Sequence, residues 1–437
     1  YIGSKAGENA INGEQNVFIG ESSGQLTKWG KHNVFMGHQT GFNNYGTYPT
    51  SDNASFNVYM GYQAGYTGSN NQRNVFIGYK AGNKSQSGGV WWYGSLNVFL
   101  GNEAGLENIS GGQNVAVGDE AFKGNTTGHW NIAIGKQALY GPNTGDNNVA
   151  FGKLSMEKNT SGSNNIAIGI YALSLNTIGN QNIAIGGGLG GNRTGDRNVG
   201  IGSGAGRAVS TTSGTVAIGA RAIFNAGGTQ NTAIGDSSLY NLQNGTNNTS
   251  IGSKTGVLYS SSTYNNSTAI GNQAIIRASN QVILGNSAIT SIGGQVAWST
   301  LSDKRIKEDT KENVPGIEFI KLLKPVTYKL NILEQNRLLG INTTADWKEI
   351  SEINKMRFSG FLAQDVEEAA RSIGYEFSGI DKSGSDNRGL YSLRYSDFTV
   401  PLVKAVQEQQ VLIENQSNMI KELLERIERL EKMIESK

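Results

Sequence analysis

The chain has 437 residues, 37 Lys and Arg against 35 Asp and Glu, no cysteine, 60 glycines and 5 prolines. A disulfide scaffold and a cysteine-ligated metal site are excluded, and a net charge of +2 leaves no bulk charge with which to hold nucleic acid. Three histidines, His32, His38 and His129, without an HxxxH spacing give little to a metal centre or a Ser-His-Asp hydrolase, so no metal and no cofactor are expected. No run of 18 apolar residues would cross a membrane as a helix, and no basic-plus-apolar leader is visible, so no membrane insertion is expected. Tyr1-Ile2-Gly3 stands in mid-pattern, and the chain is expected to be a piece whose N-terminal attachment region lies elsewhere.

Composition divides the chain near residue 300. Residues 1–301 hold 28 charged side chains and 53 glycines, whereas the remaining 136 residues hold 44 and 7. A glycine-rich, charge-poor body followed by a segment of ordinary globular composition predicts two separately organised parts. The expected division is a repetitive β shaft over 1–287, a linker over 288–301, a small α+β domain over 302–400 and a coiled coil over 401–437.

The first part is a repeat array. The motif Asn-aliphatic-x-aliphatic-Gly recurs as Asn16-Val17-Phe18-Ile19-Gly20, Asn74 to Gly78, Asn131 to Gly135 and Asn182 to Gly186, and ten of the sixteen intervals between its glycines are 17 residues. Strand alternation puts the two aliphatics, such as Val17 with Ile19 and Ile132 with Ile134, on one face, expected to be the core face. The residue between them is Phe in early repeats (Phe18, Phe35, Phe76, Phe99) and mostly Ala in later ones (Ala116, Ala133, Ala167, Ala184), and is expected on the opposite, also packed, face. One repeat then reads as a short strand, a glycine corner, a second short extended piece and a turn. Seventeen residues cannot bury a core alone, so the repeats must stack, as a solenoid or an interwound β-fibre. Asn stands four before the glycine in 13 of 16 repeats, replaced elsewhere by Thr215, Ser267 and Gln281, which predicts a ladder of stacked amides. At about 4.8 Å per strand the array is a rod of roughly 80 Å.

The strand-Gly-x-x-Ala core resembles the head repeats of YadA-like trimeric adhesins and the shafts of phage fibres, a resemblance that implies a trimeric β-roll. Two longer intervals carry aromatics: Phe42, Tyr45 and Tyr48 before Gly61, and Trp91, Trp92 and Tyr93 before Gly101. Insertions in a repeat array map to surface loops, which makes Tyr45, Tyr48, Trp91, Trp92 and Tyr93 candidates for receptor binding, to a host-surface glycan or protein. Gly200-Ile201-Gly202-Ser203-Gly204 lies inside a repeat without a βαβ context and is not read as a nucleotide loop. Asp119 and Glu120, neighbours on an expected strand, point apart and do not form the converging carboxylates of a glycan depolymerase.

The second part begins Ser302-Asp303-Lys304-Arg305-Ile306-Lys307. By itself Ser302 reads as a helix N-cap or loop serine, and on one helix five positions would put Ser302 and Lys307 on different faces. Pairing them requires an extended or turn segment, or a lysine from another subunit. The block is similar to the start of the peptidase S74 domain, the intramolecular chaperone at the C-terminus of phage tail spikes and fibres. Gly360-Phe361-Leu362-Ala363-Gln364-Asp365-Val366-Glu367, Gly389-Leu390-Tyr391-Ser392-Leu393-Arg394-Tyr395-Ser396-Asp397-Phe398 and Val400-Pro401-Leu402-Val403-Lys404-Ala405-Val406-Gln407 extend the likeness. The resemblance implies that Ser302 is the nucleophile and Lys307 the general base of a dyad cutting at Leu301-Ser302, with Asp303 and Arg305 as supporting residues. It also implies one cut, in cis or across a homotrimer, with no turnover on other substrates. A lysine base needs desolvation or a neighbouring cation, here Lys304 or Arg305.

At the C-terminus a heptad with Ile413, Ile420, Ile427 and Ile434 at a and Gln416, Leu423 and Leu430 at d predicts a coiled coil. Ile at a with Leu at d favours two strands, while Leu424 at e and Met419 and Met433 at g widen the apolar stripe; the resemblance implies three. The expected protein is therefore mainly β: a 17-residue-repeat trimeric β-roll or β-solenoid shaft, then a small α+β chaperone domain ending in a trimeric coiled coil. The expected function is that of a phage tail fibre or spike, found on the virion tail. The competing reading is a bacterial cell-surface trimeric adhesin or fibre, extracellular, with an inactive, retained cap.

Overall fold

The computed structural model describes all residues except 12, 47–53, 87–93, 208, 226, 258–262, 297, 341–352, 383–389 and 437. The chain is mainly β, a parallel β-solenoid followed by a small α/β region and a long C-terminal helix. It falls into two compact units, Tyr1–Asn286 and Ser287–Lys437.

In the first unit the repeats wind as successive coils. Strands β1 (Val17–Ile19) to β14 (Thr249–Ile251), then β16 (Thr268–Ile270) and β18 (Val282–Leu284), form one sixteen-stranded parallel sheet in strict sequence order. Every pair is in the same register, Val17 against Val34 and Ile132 against Val149. The second extended piece expected in each repeat is a turn in most coils. A two-residue strand occurs there only in β15 (Gly256–Val257) and β17 (Ile275–Ile276) among the described residues. Left-handed residues such as Gln137 and Leu139, at φ of 55° and 48°, bend the return stretch and break its extension.

The motif glycine is required twice over. At Gly135 φ is +127°, and a Cβ there would lie 2.7 Å from the carbonyl carbon of Gly152 in the next coil. The Asn ladder is present. The Asn148 backbone N–H donates to Asn131 Oδ1 at 2.9 Å, the Asn165 N–H to Asn148 Oδ1 at 3.0 Å, and each side-chain amide donates to a glycine carbonyl of the following coil. A second ladder, not anticipated from the sequence, runs on the return side through the buried Asn108, Asn125, Asn143, Asn159 and Asn176. There Nδ2 of one rung donates to Oδ1 of the rung before, at 2.6 Å from Asn125 to Asn108.

Strand faces are the reverse of the expectation. Phe18 is 0% exposed while Val17 is 46% exposed, and the same order holds along the sheet: the middle residue fills the interior and the flanking aliphatics face outward. The ladder explains why. Asn16 and Phe18 are two apart and must share a face, and the amide has its partners only inside the coil.

Inside the first coils the middle residues stack. Phe18, Phe35, Tyr59, Phe76 and Phe99 lie face to face with centroids 4.8–5.0 Å apart. Opposite each ring sits a glycine: a Cβ on Gly82 would lie 2.5 Å from the Phe76 ring. From Ala116 onward the sizes are exchanged, with Ala116, Ala133, Ala150 and Ala167 on the strand and Phe122, Leu139, Met156 and Leu173 on the opposite wall, all fully buried. The interior volume is conserved while the wall that supplies it changes. Gly82 and Leu139 share a left-handed backbone, φ +56° and +48°, so Leu is admissible at position 82 once the ring is gone. Phe76→Ala should therefore cost about 3–5 kcal/mol, and adding Gly82→Leu should recover a large part of it, as read by chemical denaturation of the three proteins.

In the second unit β19 (Val326–Tyr328) pairs antiparallel with β20 (Phe358–Gly360), and β21 (Ile380–Asp381) with β22 (Ser392–Leu393). Helices α1 (Ile317–Leu322), α2 (Ile332–Leu339), α3 (Ala363–Ser372) and α4 (Thr399–Glu435) complete it. Its core is Phe319, Val366, Ala369, Ala370, Phe377 and Phe398. α4 starts with Pro401 in its first turn, where no intrahelical donor is lost, and buries Pro401 and Ala405. The Glu408 carboxylate accepts from the Ile317 N–H at 2.8 Å, capping α1 from 91 residues away. From Gln409 to Ser436 every residue of α4 and its cap is exposed, including Ile413, Ile420 and Leu423.

Candidate functional site

Ser302 and Lys307 are brought together by a single tight turn. Residues Lys304–Ile306 form one turn of 3-10 helix with Asp303 as N-cap and Lys307 as an extended C-cap, φ −102° and ψ 119°. The turn reverses the chain so that the Lys307 ammonium donates to Ser302 Oγ at 2.6 Å. This is the turn geometry a dyad needs and a continuous helix cannot supply.

Asp303 holds the turn. Its Oδ1 accepts from the Arg305 backbone N–H at 2.8 Å and from Arg305 Nε at 3.0 Å, and its Oδ2 pairs with Arg305 Nη2 at 2.7 Å. The Arg305 guanidinium first, then the backbone N–H, hold the Asp303 carboxyl below the usual carboxylate range. A depressed carboxyl stabilises the turn above that range and loses this contribution as pH falls through it. Arg305, one of the two cations expected to act on Lys307, is therefore committed to Asp303.

The site is open. Ser302 and Lys307 are exposed, and so are the apolar Trp298 and Leu301 before them, at 89% and 79%. Nothing within the described residues of the chain covers Leu301-Ser302.

Of the candidate receptor residues, Tyr48, Trp91, Trp92 and Tyr93 lie outside the described residues. Tyr45 is half-exposed, with Lys28 Nζ 5.4 Å from its ring centroid. Asp119 and Glu120 lie in a turn, not on a strand, and each is engaged. Asp119 accepts from Asn102 at 2.8 Å and pairs with Lys136 at 3.0 Å, while Glu120 pairs with Lys123, which also holds Glu103 at 2.6 Å. The Asn102 amide foremost lowers the Asp119 carboxyl, Lys123 lowers Glu120, and Glu103 with Glu120 raises Lys123. This is a staple across neighbouring coils.

Sequence reading missed the contact that joins two of the diagnostic blocks. The Phe361 N–H donates to Tyr395 Oη at 3.1 Å, and a Cβ on Gly360 would collide with that hydroxyl. The only sequence signal was an isolated glycine beside a strand, which marks a close approach without naming the partner.

With this geometry in place the comparison with known families is decisive for one segment. Residues 302–375 match the peptidase S74 family, chaperone of endosialidase. The chaperone-of-endosialidase segment thus opens on Ser302 and carries the Gly360 to Glu367 block, while the blocks beyond Tyr375 lie past the matched residues. Among curated proteins and solved structures nothing matches the chain.

The contact between Gly360, inside the matched segment, and Tyr395, beyond it, is open to a double-mutant test. Gly360→Ala should destabilise the second unit by about 1–3 kcal/mol through overpacking, and Tyr395→Phe, which removes the obstructing oxygen, should restore part of that loss, measured by thermal unfolding.

Proposed function

We propose that the chain is the fibrous shaft of a phage tail fibre or spike used in host attachment, whose C-terminal domain brings three copies together and then cuts itself away at Leu301-Ser302. The observation that carries this reading is the 2.6 Å contact between Lys307 and Ser302 at the first residues of the chaperone segment. A long array of non-local parallel strands is slow to nucleate, and a C-terminal assembly domain relieves that step by holding the chains in register. Release of the domain then leaves the shaft kinetically trapped. The exposed, apolar heptads of α4 are consistent with three copies meeting through that helix.

The cut proceeds by attack of Ser302 Oγ on the Leu301 carbonyl carbon. Lys307, as the free amine, takes the hydroxyl proton, and the acyl group passes from the Ser302 nitrogen to its oxygen. Lys307 returns the proton to the departing amine, and water hydrolyses the ester to a Leu301 carboxylate and a free Ser302 hydroxyl. The free amine is favoured by positive charge and by loss of water. With Arg305 paired to Asp303, the factors left are Lys304 and burial of the open site by neighbouring copies.

Intact-mass measurement of the wild type should find two pieces, of 301 and 136 residues, and a single uncut chain in Ser302→Ala and in Lys307→Met. An uncut wild type would make the domain a permanent trimerising cap on an extracellular fibre.

A further inference from the structure

Charge is distributed unevenly along the solenoid. Residues 1–158 hold ten Lys and Arg against ten Asp and Glu, and cations there are neutralised, Lys31 by Glu14, Lys84 by Glu107, Lys123 by Glu103 and Lys136 by Asp119. Residues 159–301 hold six Lys and Arg against Asp196 and Asp236 alone. Three of the six, Arg207, Arg221 and Lys254, are exposed, and among the described residues none of them has a carboxylate partner. They stand together. Arg221 and Lys254 are each the second residue after a motif glycine, two coils apart, or about 10 Å along the rod. With Ser237, Tyr240, Asn241 and Thr255 they line an open groove of about 350 Å³. Tyr240 stacks on Phe224 with centroids 5.3 Å apart, and the Arg207 guanidinium lies 4.9 Å from the Phe224 centroid, which brings the third cation to the edge of the groove. Asp236, the one carboxylate on these coils, accepts from the Ser237 hydroxyl at 3.1 Å and pairs with neither groove cation.

We propose that this groove binds an acidic saccharide through its carboxylates, as an attachment surface separate from the aromatic insertions of the earlier coils. A guanidinium takes a carboxylate by two parallel hydrogen bonds and an ammonium takes one as a point charge. The Ser237 hydroxyl, the Asn241 amide and the Tyr240 phenol supply the neutral donors and acceptors that sugar hydroxyls need. The Asn ladder continues through these coils, the Asn248 N–H donating to Asn231 Oδ1 at 3.0 Å, so the distance between the two cations is set before a ligand arrives. A nucleic acid fits less well. It is held by free aromatic faces on which successive bases stack and by many phosphate contacts. Here Phe224 and Tyr240 lie face to face with an interplanar angle of 2°, and Arg207 covers the Phe224 ring. The inference rests on the attachment reading for where the ligand is met, and not on self-cleavage.

Binding is read by isothermal titration of the full chain with galacturonate oligosaccharides, and with the same oligosaccharides after methyl esterification, which removes the charge and keeps the sugar. The acid form should bind roughly ten-fold or more tightly than the ester. Arg221→Gln combined with Lys254→Gln should weaken the acid form roughly ten-fold or more, and Tyr240→Phe, which removes only the phenol oxygen, by roughly two- to five-fold. Arg197→Gln, at an exposed cation of the same stretch outside the groove, should leave it unchanged. Each variant is matched to the wild type by circular dichroism before it is titrated. Absence of binding by the acid form overturns the proposal. So does an equal loss in Arg197→Gln and in the double variant, or a single-stranded oligonucleotide of equal charge binding as tightly, since either reduces the groove to bulk positive charge. The same titration of the Ser302→Ala chain separates the two readings: unchanged affinity there supports the groove whether or not the wild type cuts itself, and cleavage without binding overturns the groove alone.

Discussion

A buried amide must find a partner, and in this solenoid it finds one in the neighbouring coil. Leaving such a group unpaired costs about 1–3 kcal/mol, and more than ten coils carry one on the strand side alone. That requirement sets the relation between coils before any apolar contact is considered. It fixes which face of the strand is inward, it keeps every strand pair in the same register, and it obliges the motif glycine to lie against the next coil without a Cβ. The interior packing follows from it. Once the rungs are locked one strand spacing apart, flat rings in successive coils fall into a stack at 4.8–5.0 Å.

The two units treat their apolar surface differently. In the solenoid the coils bury their middle strand residues, and from Asn108 to Asn176 a second Asn, against the coils on either side, while the flanking aliphatics of the strands stay partly open. In the second unit a small cluster around Phe319 and Phe398 is closed by α1 and the first turns of α4, and the remainder of that helix is exposed among the described residues. The Glu408 carboxylate on the Ile317 N–H ties the start of the helix to the rest of the unit, so the free part begins from a fixed base.

Much of this was legible because it was periodic. The repeat length and the strand-side ladder follow from the spacing of Asn and Gly, while the choice of a parallel solenoid over an interwound fibre came from the structure. The inside of the strand did not, because alternation separates two faces without saying which is buried. Asn16 beside Phe18 contained the answer, since the polar ladder and the middle residue cannot lie on different faces. The second ladder was hidden by its variable offset from the glycine, and Asp119 and Glu120 were misplaced because nothing local distinguishes the turn after Gly118 from a strand. In the second unit, Ser302 and Lys307 were legible as a pair, but their approach depended on a 3-10 turn and on Asp303 gripping Arg305. The link between Gly360 and Tyr395 joins residues 35 apart, and no local pattern encodes it.

The strand pairs Val34–Val58 and Val75–Val98 bridge intervals of 24 and 23 residues, yet they are matched atom row to atom row like the pairs that bridge 17. The length of chain spent on a coil is thus decoupled from the height the coil contributes. Extra chain can be accommodated at either place while the strands on both sides keep the spacing and register of the rest of the sheet.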